Sequence, residues 1–232
     1  GKNEKELSQG LFDEKTTGGL PNAPGKGLKW SHLTLPEPLP NPIFVGTSVH
    51  PGPAVVLSGM TFKDFDEVVK GKKYVNGKTG GIVIKDLLSK VNVQDELKKT
   101  LDGLPKLRGS ALNHANKKAK FLQALDKLSM RPEDAYVMTH IPVLPPIFRP
   151  IVPMEDGSLR FDDVNHLYKS VSLLSNKLKE HPAELPEETK NPLREELYES
   201  VKAVAGLGTV PIYDSNRKLK GILDQIAGDS PK

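Results

Sequence analysis

Asp64 and Asp66, in T-F-K-D-F-D-E-V-V, are two carboxylates whose type and spacing could hold a magnesium ion. Hard divalent cations take oxygen ligands, and two fixed carboxylates can chelate one beside a substrate's phosphates. The surroundings argue against that chemistry. No third Asp stands at a chelating spacing, and Phe62, Phe65, Val68 and Val69 recur at helical intervals. The pair therefore reads as surface carboxylates on a short amphipathic helix capped by Thr61. The six histidines (His32, His50, His114, His140, His166 and His181) include no H-x-H or H-x-x-x-H pair. The chain has no cysteine, which excludes disulfides and thiolate zinc sites. Gly77-Lys78-Thr79-Gly80 contains a G-K-T, but the first glycine of a phosphate-binding loop is missing at its spacing, so a turn is expected. Neither G-x-S-x-G nor G-x-G-x-x-G occurs. No self-contained catalytic constellation is visible.

The elements that must position any site come next. At 232 residues the chain suffices for one large or two small domains. Its 20 prolines and 20 glycines favour turns and extended connectors over a compact bundle. No apolar run approaches the ~18–20 residues of a membrane helix, and no charged-then-apolar leader is present. Membrane association and secretion are therefore not expected. Net charge is +4. It is concentrated in a basic middle of Lys98, Lys99, Lys106, Arg108, Lys117, Lys118 and Lys120, set against an acidic stretch from Glu184 to Glu199. Such a middle could face nucleic acid, although charge runs are more often solvated helix faces.

Residues 1–60, broken by P-E-P-L-P-N-P and H-P-G-P, read as irregular, with short extended pieces at Leu33–Leu35 and Ala54–Leu57. Lys73–Val75 and Gly81–Val83 read as small strands or as a strand followed by a helix start. The pattern predicts helices over Ile84–Leu101 and Ser110–Leu128, with a strand at Tyr136–Met138. A proline-studded apolar ribbon, I-P-V-L-P-P-I-F-R-P-I-V-P, fills Ile141–Pro153. After it, Asp162 or Asp163 caps a helix to about Glu180. Its seam is Val164, Leu167, Tyr168, Val171, Leu174 and Leu178. His181-Pro182 breaks this helix. A second begins near Pro192, with Leu193, Leu197, Val201 and Val204 on its seam, and Gly206 and Gly208 end it. Two helices with matching seams predict an antiparallel helical hairpin.

This order of elements resembles the clamp region of the largest, beta-prime-type subunit of multisubunit DNA-directed RNA polymerases. The ribbon is similar to the segment leading into that family's lid. N-H-L-Y at Asn165–Tyr168 matches the start of its clamp coiled coil. D-S-N-R-K-L-K-G-I-L-D-Q-I-A-G at Asp214–Gly228 resembles the segment after its rudder. Upstream, G-G-I-V-I-K-D-L-L-S-K-V-N-V-Q-D-E-L at Gly80–Leu97 resembles a further family helix, and G-L-F-D-E-K-T-T-G-G at Gly10–Gly19 and His32-Leu33 resemble, less specifically, other family blocks. The family carries a cysteine-rich zinc ribbon in the interval occupied here by Leu20–Lys29, so the ribbon looks deleted. The family's catalytic N-A-D-F-D-G-D is absent too, and Asp64 and Asp66 lie well upstream of its place.

The resemblance implies an α+β fold, an irregular mixed module with small sheets and a projecting two-helix coiled-coil hairpin. It implies a clamp core over 1–163 with the lid near 151–163, the hairpin over 164–205, and the rudder and return over 206–232. The function it implies is to hold the DNA–RNA hybrid, separate strands and dock an initiation factor within a nucleotidyltransferase. The segment alone would be inactive, with no cofactor of its own; Mg2+ belongs to the complete polymerase. Expected nucleic-acid contacts are Arg149, Arg160, Arg217, Lys218 and Lys220. Expected factor contacts are Leu174, Lys177, Leu193 and Tyr198. Leu174, Leu193 and Tyr198 stand where the bacterial pattern has Arg, Glu and Gln, so the factor is expected to differ from an ordinary sigma unless these leucines simply pack the coil. Expected partners are other polymerase subunits, template DNA and the hybrid. The chain's last residues, Gly228–Lys232, fall where the family continues, implying a piece of a longer or split subunit. The absent ribbon points to a phage-like or mobile-element polymerase working in a bacterial host's cytoplasm. Two other classes stay open: a free-standing module that binds a polymerase or factor, and an enzyme using Asp64 and Asp66.

Overall fold

The structure is a computed structural model that describes residues 11–21, 24–182, 184–208, 212–213 and 217–227. It is an α+β chain of short helices and two-stranded sheets, divided into two units, residues 37–139 and residues 1–36 with 140–232. The chain passes between units within strand β1 (Ser31–Pro40) and returns within β2 (Val137–Val143), which pairs with it. Prolines 36, 38 and 40 lie in β1. Their spacing of two puts all three missing N–H groups along the same edge, leaving the other edge to pair. The irregular reading of this segment is thereby corrected to a strand of ten residues.

In the unit of residues 37–139, α2 (Pro53–Ser58), α3 (Phe62–Val69), α4 (Gly81–Ser89) and α7 (Pro132–Tyr136) enclose a core containing Val55, Phe65, Val68, Val69, Ile84 and Leu88. The short helix α1 (Glu14–Thr17) precedes β1 in the other unit. Helix α2 replaces the extended piece expected at Ala54–Leu57. Pro53 stands in its first turn, where a missing N–H costs nothing. Thr61 caps α3 as expected, its Oγ1 accepting from Asp64 N at 3.1 Å. The helix expected over Ile84–Leu101 is two helices, α4 and α5 (Val93–Gly103). Asn92 separates them because its Oδ1 accepts from Asp95 N at 3.1 Å and starts a new helix. Helix α5 packs along α6 (Gly109–Leu128), where Lys118 Nζ meets Glu96 at 2.5 Å. Part of the basic middle is therefore neutralised within the chain. Residues 75–78 form a tight turn with Asn76 and Gly77 both at positive φ, 50° and 74°, and Val75 bridged to Lys78. The Thr79 hydroxyl lies against Lys73 O at 2.7 Å and Val68 O at 3.0 Å. The G-K-T is thus a turn. The strand expected at Tyr136–Met138 begins one residue later, because Tyr136 closes α7.

In the other unit, the proline ribbon is interrupted by a 3₁₀ turn at Pro146–Phe148. A hairpin of β3 (Ile151–Pro153) and β4 (Leu159–Phe161) follows. Helices α8 (Asp163–Lys179) and α9 (Asn191–Ala205) then pack on each other through Val164, Leu167, Val171, Leu178, Leu197, Val201 and Val204, all buried. Asp162 caps α8, and Gly206 at φ 84° ends α9. The paired strands β5 (Ile212–Tyr213) and β6 (Arg217–Lys218) precede α10 (Ile222–Ala227). Residues 209–211, 214–216 and 228–232 of the expected rudder and return segment, and Gly10 of the G-L-F block, lie outside the described residues.

Candidate nucleic-acid and factor interface

The β3–β4 hairpin pairs Ile151 with Phe161, Val152 with Arg160, and Pro153 with Leu159. Its tip turns over Met154–Ser158, with Met154 N donating to Ser158 O at 2.8 Å and Gly157 at φ 79°. Glycine adopts that backbone with no Cβ penalty. Asp156 stiffens the turn, its Oδ1 accepting from Ser158 N at 2.9 Å and from the Ser158 hydroxyl at 2.6 Å. Those bonds hold the Asp156 carboxyl below its usual range. The hairpin exposes Val152, Met154 and Leu159 together with Arg160. An apolar wedge thus stands beside a cation.

Arg160 and Lys220 line one open groove of about 390 Å3, whose apolar wall is Pro150, Val152, Met154 and Phe161. Asp163, in the first turn of α8, brings Lys220 here by accepting from its backbone N at 3.0 Å. Gln225 of α10 donates to Asp162 Oδ1 at 3.1 Å. Asp162 and Asp163 therefore tie the returning segment to the hairpin's base. Sequence reasoning placed them only as helix caps; a D-D pair where a single cap suffices was the available signal. Lys218 is exposed on β6, and the side chain of Arg217 lies outside the described residues.

Arg149 is corrected. It is fully buried, so no phosphate reaches it. Its Nε donates to Leu144 O at 2.6 Å, Nη1 to Asn165 Oδ1 at 2.9 Å, and Nη2 to Leu11 O. The guanidinium also lies 4.5 Å from the centre of the Phe12 ring. Burial lowers its pKa to about 10, which leaves it charged at neutral pH.

On the helical hairpin Lys177 is exposed, while Leu174 and Leu193 are half-buried and flank the seam. Tyr198 is corrected as an outward factor contact. It is 1% exposed, with its ring packed inside and Lys202 Nζ 4.6 Å from the ring centre. Arg194, also buried, donates to Asn191 Oδ1 at 3.0 Å and pairs with Glu187. Its hydrogen bond leads the causes that hold the Glu187 carboxyl below its usual range.

Asp64 and Asp66 do not fit a magnesium site. Lys73 Nζ holds Asp64 at 2.5 Å, and Lys70 Nζ holds Asp66 at 2.9 Å, so each carboxylate is committed to a lysine. Among the described residues no group of three or more His, Cys, Asp or Glu could hold a metal, and no helix is long and apolar enough to cross a membrane.

Over 264 aligned positions, taking in 98% of this chain, the sequence is 26% identical to the DNA-directed RNA polymerase subunit beta′ of Acinetobacter baylyi. Over 219 positions, 88% of the chain, it is 27% identical to the subunit beta′ of Staphylococcus aureus. No protein-family model matches. Over most of its length the chain is thus similar to polymerase largest subunits, and it has a mixed α+β fold with a helical hairpin. More particularly, it is a β′-like segment, spanning 19% and 18% of the length of those two relatives.

Proposed function

We propose that this segment is the clamp, lid and coiled-coil part of a DNA-dependent RNA polymerase. It closes over the DNA–RNA hybrid, separates strands and receives an initiation factor. One observation carries the reading: a stiff hairpin with an apolar tip stands beside Arg160 and Lys220 on one groove, in a chain that is β′-like over 98% of its length. Strand separation needs a rigid wedge that can stack on the last base pair, and cations that hold the diverging phosphates without reading sequence. Arg160, Lys218 and Lys220 supply the cations, with Arg217 beside them in sequence. The factor docks on the helical hairpin around Lys177, Leu174 and Leu193, a surface with fewer charges than the bacterial pattern carries. Phosphoryl transfer and its Mg2+ belong to other parts of the polymerase, and this segment alone does not polymerise nucleotides. A phage-like source and a bacterial cytoplasmic location fit the missing zinc-ribbon cysteines.

The test is affinity capture with this chain as bait from its native host, read by mass spectrometry. Recovery of other polymerase subunits with an initiation factor is expected. Recovery of unrelated proteins and no polymerase component would overturn the clamp reading in favour of a free-standing interaction module.

A further inference from the structure

The network around Arg149 has the form of a joint. We propose that Arg149 is a positioning residue whose buried guanidinium fastens the root of the β3–β4 hairpin to helix α8 and to the Leu11–Phe12 segment, and so sets where the hairpin tip points. The functional meaning of that aim rests on the clamp reading; the joint itself does not.

Three bonds leave the guanidinium in different directions, to Leu144 O, Asn165 Oδ1 and Leu11 O, and Phe12 covers its face. Only a planar fork with five donors can serve three separated acceptors and stack at once; a lysine has one point of charge and no plane. Asn165 answers with a second bond, its Nδ2 donating to Arg149 O at 3.0 Å. One amide therefore grips both the side chain and the backbone of the same residue. That residue directly precedes Pro150, whose carbonyl accepts from Asp162 N at 3.2 Å at the hairpin's base. Next along α8, the Tyr168 hydroxyl accepts from Leu144 N at 3.2 Å and donates to Pro142 O at 3.0 Å. The ribbon is thus pinned at three successive points before the hairpin begins. Burying a cation without a carboxylate in direct contact is costly for stability alone. The same polar groups held in fixed geometry are what a rigid support requires.

The chain's lack of cysteine makes the test clean. Leu159→Cys at the tip and Glu180→Cys at the end of α8, both exposed positions, carry nitroxide labels in the whole chain. Pulsed electron resonance then reads their distance distribution. The parent is expected to give one narrow distribution. Arg149→Lys and Asn165→Ala should each broaden it about twofold while far-UV dichroism is retained. The double variant should broaden it by less than the sum of the two single effects, because the Arg149 Nη1–Asn165 Oδ1 bond is lost in both. An unchanged width in Asn165→Ala, which leaves the cation in place, overturns the proposal even if Arg149→Lys fails to fold. Additive broadening in the double variant also overturns it. This outcome is read on the chain alone, so it is separable from recovery of polymerase subunits.

Discussion

Replacing Tyr168 by Phe removes a single oxygen, and the structure sets how much that oxygen carries. The ring is fully buried on α8. Its hydroxyl bridges the end of β2, accepting from Leu144 N at 3.2 Å and donating to Pro142 O at 3.0 Å. Each bond contributes roughly 0.5–1.5 kcal/mol net, and a buried backbone group left unpaired costs about 1–3 kcal/mol. Phe keeps the packing, so no cavity term enters. We expect a loss of about 2 kcal/mol, between the two limits. In urea, with a slope of about 2 kcal/mol/M, the midpoint should fall by about 1 M with the slope unchanged. A pH series gives a second reading. Burial pushes the phenol above its ordinary 10.0, so folding favours the neutral form. Its contribution is complete below the unfolded value and is lost as pH rises through the folded one. The parent should therefore lose stability with rising pH above about 10 more steeply than the Phe variant. A midpoint shift under about 0.25 M, corresponding to roughly 0.5 kcal/mol, would mean that water replaces the hydroxyl. The ribbon would then not be pinned at this point.

The other predictions test separate parts of the molecule. Arg160→Ala and Lys220→Ala in the assembled polymerase should each weaken retention of nucleic acid regardless of sequence and lower the salt slope by about 1, read as complex lifetime against salt; unchanged slopes would remove both from the interface. Gly81→Ala places a Cβ 1.9 Å from Pro38 O, so backbone must move; we expect a loss of about 1–3 kcal/mol or more in urea unfolding. Gly103→Ala meets nothing within 4 Å and keeps a negative φ of −79°, so it should be neutral or slightly stabilising, by up to about 1 kcal/mol. Glu187, with its carboxyl held low by Arg194 and Lys190, contributes stability above its ordinary 4.5 that is lost as pH falls through the lowered value. Amide exchange at the start of α9 should accelerate in that acid range in the parent more than in Glu187→Gln.

Periodicity made the helical hairpin legible, because a seam repeating every three or four residues is itself the record of which face is buried. Val164, Leu167, Val171, Leu197, Val201 and Val204 all lie in the seam expected of them. Caps were equally readable, since Thr61 and Asp162 act on backbone groups within three residues. Strand β1 was not legible: proline vetoes helix locally, and only the partner strand decides that prolines at alternate positions leave a pairing edge. Asn92 shows the converse, where an apolar pattern continuing past a strong cap concealed a break between α4 and α5.

The site failures share one cause. Arg149 and Tyr198 were assigned outward roles from residue type and position, yet the first is fully buried and the second 1% exposed. Exposure of a long polar side chain is not a local property. Arg149 is held by Leu11, 138 residues earlier, and by Asn165, 16 residues later. No window on the sequence contains those partners together. The clue available was negative: an arginine between prolines on an apolar ribbon has no acidic neighbour in sequence, and a solvated cation would not need such a setting. Arg160 sits on the opposite side of the same criterion. It lies on a two-stranded hairpin whose tip residues are exposed, and its partner in register is the exposed Val152. On the readings proposed above, two arginines 11 positions apart divide the work, the buried Arg149 as the joint and the exposed Arg160 as the contact. If that division holds, Arg149→Lys should change where the tip points and leave the salt slope of retention near the parent's, whereas Arg160→Ala should lower the slope and leave the tip's distance distribution unchanged. A common response of both variants in both assays would refute it.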